Sequence, residues 1–151
     1  MLQTMDGSMF NQVMVGGGAS LANLIIHAVL VGAIVATVRR LRMESGELVP
    51  SFLRYTLVIV ATGTLLVAGH FGEVVLWAYT YDWVGATPPD TDLVYFAFGN
   101  YTTLGYGDVV PVPDWHLLGP MTALNGVMLI GWSTALIFEI LRRSGPQVQT
   151  R

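Results

Sequence analysis

The sequence predicts an all-α integral membrane protein, with three spanning helices and one short helix that enters the bilayer and turns back. Three observations carry this. Charged residues make up 11% of the 151-residue chain against 53% hydrophobic, with a mean hydropathy of +0.58, whereas a soluble domain carries about twice that share of charge. Apolar runs occur in three places, each long enough to cross a hydrocarbon core of about 30 Å. Finally, all the basic residues fall where a chain with an odd number of spans keeps them on one face.

Residues 1–20 lack the basic start of a secretory signal and form an extracytoplasmic segment, with Gly16–Gly17–Gly18 as a flexible lead-in. The first helix covers 21–43. Its apolar part, LANLIIHAVLVGAIVATV, is roughly 27 Å long, and it stops at the charged linker RRLRMESGE. The second helix, 53–81, ends in the aromatic cluster LWAYTYDW. At roughly 43 Å it overspans the core and must tilt or project into water. A stretch at 92–102 within TDLVYFAFGNYT is too short to cross. Asp90 or Thr91 caps its start, and Asp92 places negative charge in the first turn. The last helix, 117–141, holds Pro120 near its beginning, where a missing N–H is tolerated. Residues 53–141 thus form one unit, followed by a short tail, 142–151.

Charge sets the topology. All seven basic residues are arginines: Arg39, Arg40, Arg42, Arg54, Arg142, Arg143 and Arg151. With three spans, the linker and the C-terminal tail share a face, and every arginine lies there. That face is cytoplasmic, and the N-terminus and residues 82–116 are outside. Trp77, Tyr79, Tyr81, Trp83 and Trp115 form an outer aromatic belt. Membrane lipids are therefore partners, with anionic headgroups expected at Arg39, Arg40, Arg42, Arg142 and Arg143. A net charge of −3 points to no nucleic-acid partner, and the absence of cysteine removes thiolate metal sites.

Between the second and third spans lies NYTTLGYGDVVP, a polar run at membrane depth. Backbone there must be buried in protein or line water. A dehydrated monovalent cation needs oxygen ligands, and backbone carbonyls provide them without adding formal charge. Aiming successive carbonyls along one axis requires alternate residues in left-handed conformation, which glycine adopts freely. Gly105 and Gly107 have that spacing, leaving Leu104 and Tyr106 to pack outward. Thr103 can add its hydroxyl, and the negative end of the short helix, near Tyr101–Thr102, faces a cation beneath.

A short re-entrant helix, then Thr102-Thr103-Leu104-Gly105-Tyr106-Gly107-Asp108, then a spanning helix resembles the pore of potassium channels. The whole chain is similar to small prokaryotic members with one extra helix before a two-helix pore. The resemblance implies a selectivity filter at 103–107, with K+ held at Thr103, Leu104, Gly105 and Tyr106. It implies a homotetramer around the ion path, residence in a bacterial inner membrane, and no cofactor beyond the permeant ion. Leu104 replaces the commoner valine. Many members also carry a carboxylate in the pore helix that braces the outer aspartate, where this chain has Gly99-Asn100. Other braces are open to it: Asn100 can hydrogen-bond behind the filter, and Asp108 can pair with Trp115 or with another aromatic N–H or O–H.

The remaining polar residues suggest gating candidates. Gly126 and Gly131 serve either as hinges or as close-packing points. Asn125 is expected to face the cavity below the filter. Glu139 forms either a helical pair with Arg142 or Arg143, or a cytoplasmic ring. His70 and Glu73 share a helix face and either sense pH or brace the filter from behind. Two ligands from one chain do not close a metal shell, and His27 reads as a helix–helix contact. The first helix carries no arginine ladder, which excludes voltage sensing. The rivals are a non-selective monovalent cation pore, a non-conducting accessory subunit, and a membrane enzyme using His70 and Glu73 as acid and base. No nucleophile or phosphate loop accompanies the enzyme reading.

Overall fold

The computed structural model describes residues 7–44 and 51–144. Residues 1–6, 45–50 and 145–151, on which parts of the N-terminal segment, the linker and the tail (with Arg151) fall, lie outside the described residues, as do the side chains of Arg42 and Arg143. Helix α1 runs Gly7–Glu44, α2 Ser51–Val84, α3 Leu93–Tyr101 and α4 Leu118–Ser144, with a 3-10 turn at Pro113–Trp115 before α4. Three stretches are long and apolar enough to cross a membrane: Ser8–Arg40, Phe52–Val84 and Pro113–Arg142. This is an all-α membrane protein.

Helix α1 is longer than the sequence suggests. It takes in Gly16–Gly17–Gly18, expected as a flexible lead-in, because its N-terminal half is packed. Gly16 lies against the side-chain ends of Met121 and Leu118 of α4, so a larger residue there would push the Met121 side chain aside. Its first turns are also tied to the outer connection. Ser8 Oγ donates to the Asp114 carbonyl at 3.3 Å, and the Leu117 N–H donates to Gln12 Oε1 at 2.8 Å. The second bond satisfies one of the orphan amides at the start of α4. The beginning of α1 and the α2–α4 connection therefore lie on the same side.

Each long helix buries one stripe. On α2 it is Val58, Thr62, Leu66, Glu73, Val74, Trp77, Ala78 and Tyr81; on α4 it is Leu118, Thr122, Asn125, Leu129, Ser133 and Ile140. Three- and four-residue steps keep such positions on one face. Helix α1 packs against α2 and α4, and α3 is wedged between the same two. The apolar core has two parts: one built on Trp77, Tyr81, Phe96, Tyr101 and Leu118, the other on Ile34, Val58, Leu66 and Ile140. Between them is a buried polar layer.

Asp92, rather than Asp90 or Thr91, caps α3, its carboxylate accepting the Tyr95 N–H at 3.0 Å. Asp90 instead takes the left-handed turn position at φ 62°. Thr102 closes the helix. The chain then returns along the end of α2, where Val112 N–H donates to the Ala86 carbonyl at 2.9 Å.

Candidate functional site

Immediately after α3 the backbone alternates in hand. Thr103 (φ 59°), Gly105 (φ 48°) and Gly107 (φ 78°) are left-handed, while Leu104 and Tyr106 between them are not. Alternation of this kind swings successive carbonyls to one side of the strand. The glycines adopt it without steric cost; Thr103 does not, because its Cβ crowds the following carbonyl. The turn into the stretch is fixed to α3: Thr103 N–H donates to the Asn100 carbonyl at 3.0 Å, and Gly99 O accepts Leu104 N–H at 2.9 Å and Gly105 N–H at 3.2 Å.

Leu104 and Tyr106 line a groove shared with Tyr95, Phe96 and Phe98 of α3. Thr103, Gly105 and Gly107 border an adjoining open cleft of about 370 Å³, whose other side carries Pro111, Pro120 and Ala123. Leu104 and Tyr106 are 56% and 70% exposed in the single chain.

Two braces reach this stretch. Asn100 Nδ2 donates to Tyr81 Oη at 3.3 Å, and Tyr81 in turn lies 2.6 Å from Thr122 Oγ1, so a side-chain chain crosses from α3 through α2 to α4. Tyr95, which the sequence reading did not single out, hydrogen-bonds Asp108. Desolvation, then this bond and the nearby charge, raise the Tyr95 hydroxyl above its ordinary pKa. Trp115, expected as a partner of Asp108, packs instead against the Trp77–Tyr81 cluster.

Behind α3 lies the polar layer. Glu73 is fully buried; its Oε1 is 2.8 Å from His27 Nδ1 and its Oε2 is 2.8 Å from His70 Nδ1, and it also accepts the Tyr101 hydroxyl. Tyr101 is the last residue of α3, and its hydroxyl stands 2.9 Å from His70 Nδ1. His27 thus joins the His70–Glu73 pair from α1, a contact hidden in sequence by 46 intervening positions. His27, His70 and Glu73 are a trio whose donor atoms fall within 4.8 Å of one another. The imidazole nitrogens sit at hydrogen-bond distance from the carboxylate oxygens, closer than the roughly 3.3 Å that two ligands of one tetrahedral zinc ion adopt. The geometry is one of shared protons.

The Asn125 amide is taken up by α1 and α2, and the residue borders only an apolar cleft between α1 and α4. It is buried against α1 and α2, accepting from Asn23 Nδ2 and Trp77 Nε1 at 3.0 Å each and donating to Ser20 O at 3.4 Å. A buried amide surrounded by partners has no reason to turn toward water. At Gly126 a side chain would overlap the Tyr101 carbonyl, so close approach of α4 to the end of α3 requires glycine there; at Gly131 nothing lies near. Glu139 grips Arg142 in a two-pronged i,i+3 pair at 2.9 and 3.0 Å.

Residues 69–143 match the family model described as "Ion channel". No curated protein and no solved structure matches the chain.

Proposed function

We propose, from the membership of residues 69–143 in the ion channel family, that this channel is selective for potassium. Carbonyls of Thr103, Leu104, Gly105 and Tyr106 replace the ion's hydration shell, and the observation that carries the reading is the alternating hand at Thr103, Gly105 and Gly107 within TTLGYGD. One chain supplies one strand of carbonyls. A closed ion path needs several, and a homotetramer around a fourfold axis supplies them. The exposure of Leu104 and Tyr106 in the single chain supports this, since large apolar filter walls need neighbours to cover them.

The arginine distribution supports an N-terminus outside and a C-terminus in the cytoplasm, and the resemblance to small prokaryotic channels implies a bacterial inner membrane. Opening does not rest on a voltage sensor, because α1 lacks repeated basic residues within its span. The test is potassium flux into liposomes holding the purified chain, together with native mass spectrometry. Barium-sensitive flux from a tetramer is expected; a folded tetramer without flux supports the accessory-subunit reading instead.

A further inference from the structure

Two neighbouring residues in the last turn of α3 carry side-chain bonds to other helices. Asn100 reaches Tyr81 of α2 and, through it, Thr122 of α4. Tyr101, which is buried, donates its hydroxyl to Glu73 Oε2, and its carbonyl lies against α4 where the helix has Gly126. Glu73 meets α1 with its other oxygen. Its Oε1 is 2.8 Å from His27 Nδ1, and its backbone carbonyl accepts Asn23 Nδ2 at 3.2 Å. One fully buried carboxyl group therefore joins α1 to the end of α3, with one oxygen for each.

Two positions beyond Tyr101, Thr103 is held at φ 59°. A residue with a Cβ stays in that region only where its surroundings over-determine it. The bonds of the turn run back to the carbonyls of Asn100 and Gly99, so they hold Thr103 only as firmly as the last turn of α3 is itself held. A helix of nine residues does not persist through its own backbone bonds and depends on tertiary contacts. Of the two ties, the Asn100 bond is the longer, at 3.3 Å. The Tyr101 hydroxyl meets a carboxyl group out of contact with water, where a hydrogen bond is stronger and costly to leave unmade. Rotatable bonds separate that carboxyl group from the α2 backbone, and His27 fixes the oxygen that Tyr101 does not use.

We infer that Tyr101 and Glu73 are positioning residues for Thr103, the first carbonyl of the 103–107 stretch, and that α1 takes part in ion binding by orienting Glu73 through His27. None of the three side chains touches the ion path. Their effect is confined to the end of the stretch nearest α3, and Tyr106 lies beyond it. The inference rests on the reading of Thr103 and Tyr106 as potassium ligands proposed above.

The test is solid-state NMR on the full chain in liposomes with 13C-labelled carbonyls at Thr103 and Tyr106, titrated with potassium in exchange for sodium. The quantity read is the potassium concentration that half-saturates each carbonyl shift. Tyr101→Phe removes one hydroxyl and leaves Glu73 its contacts with His27 and His70, so the fold is expected to persist. Half-saturation at Thr103 is expected to rise about tenfold, with Tyr106 unchanged. His27→Phe keeps a ring without the nitrogen and is expected to move Thr103 in the same direction. The double variant should be no worse than Tyr101→Phe alone, because both act through Glu73. His27→Asn, whose amide nitrogen takes about the place of Nδ1, is expected to restore the wild-type curve. A lowered thermal midpoint with an unmoved Thr103 curve in Tyr101→Phe means a merely structural contact and overturns the proposal. Fully additive shifts in the double variant overturn the route from α1; where His27→Phe fails to insert, His27→Ala takes its place in the cycle. If neither wild-type carbonyl responds to potassium, the potassium reading fails and the positioning role with it, an outcome distinct from a wild-type response that the variants leave unmoved.

Discussion

Thr103 is a non-glycine residue held at φ 59°, continuing a pattern that Gly105 and Gly107 begin. A β-branched side chain in the left-handed region costs roughly 1–2 kcal/mol, and it is held here beside the end of α3. Gly105→Ala imposes a similar penalty at φ 48°, so potassium flux is expected to collapse while the helical circular dichroism stays unchanged. The two glycines could be read from sequence by their spacing; the third left-handed residue could not, because threonine gives no such signal. Tyr95 was equally hidden. Its Tyr95→Phe variant loses the bond to Asp108, and faster current decay under sustained potassium flow is the expected result. Because the Tyr95 pKa is raised, the hydroxyl keeps its proton throughout the neutral range, and the brace is lost only as pH rises through the elevated value. Current decay that varies between pH 6 and 8 in wild type therefore has its origin elsewhere than in Tyr95.

At the scale of the helices, Gly126 decides between hinge and packing. A methyl group there would strike the Tyr101 carbonyl, and overpacking of this kind costs about 1–3 kcal/mol. Gly126→Ala is expected to lower the thermal midpoint of the purified protein, whereas Gly131→Ala, with nothing near its missing side chain, leaves it in place. The polar layer gives a second contrast. Glu73→Ala strands the His27, His70 and Tyr101 groups it now receives, at about 1–3 kcal/mol for each buried unsatisfied group. Glu73→Gln keeps partners for all of them and should retain most of the stability, as read by detergent-solubilised thermal melts. Helix existence was legible from apolar runs and the short α3 from its length. Helix bounds were not. Glycines at 16–18 look like a break until α4 is known to press Met121 and Leu118 against Gly16, which is tertiary packing overriding local propensity. Asn125 misled for a related reason: an isolated polar residue in a span suggests water, yet Asn23, Trp77 and Ser20 had already claimed it.

For the whole molecule, α1 is part of the fold's core rather than an added span. It packs on α2 and α4, supplies His27 and Asn23 to the buried layer, and binds the outer connection through Ser8 and Gln12. Removing residues 1–43 is expected to abolish stable insertion instead of merely altering current. The sequence alone could not assign this role, since the partners of α1 lie up to about a hundred positions away. The arginine pattern predicts that the start of the first helix and the α2–α4 connection share a side, and the bonds from Ser8 and Gln12 join the first turns of α1 to that connection. The large apolar residues left exposed on the single chain, including Leu104, Phe98, Val127 and Phe138, are available to lipid and to neighbouring copies.

Potassium selectivity is the central claim, and its most direct test is a bi-ionic reversal potential, potassium against sodium, on the purified chain in a planar bilayer. The account predicts a potential strongly favouring potassium, with block by barium. A measurable current reversing near zero would contradict it, leaving an ion channel whose 103–107 stretch does not select.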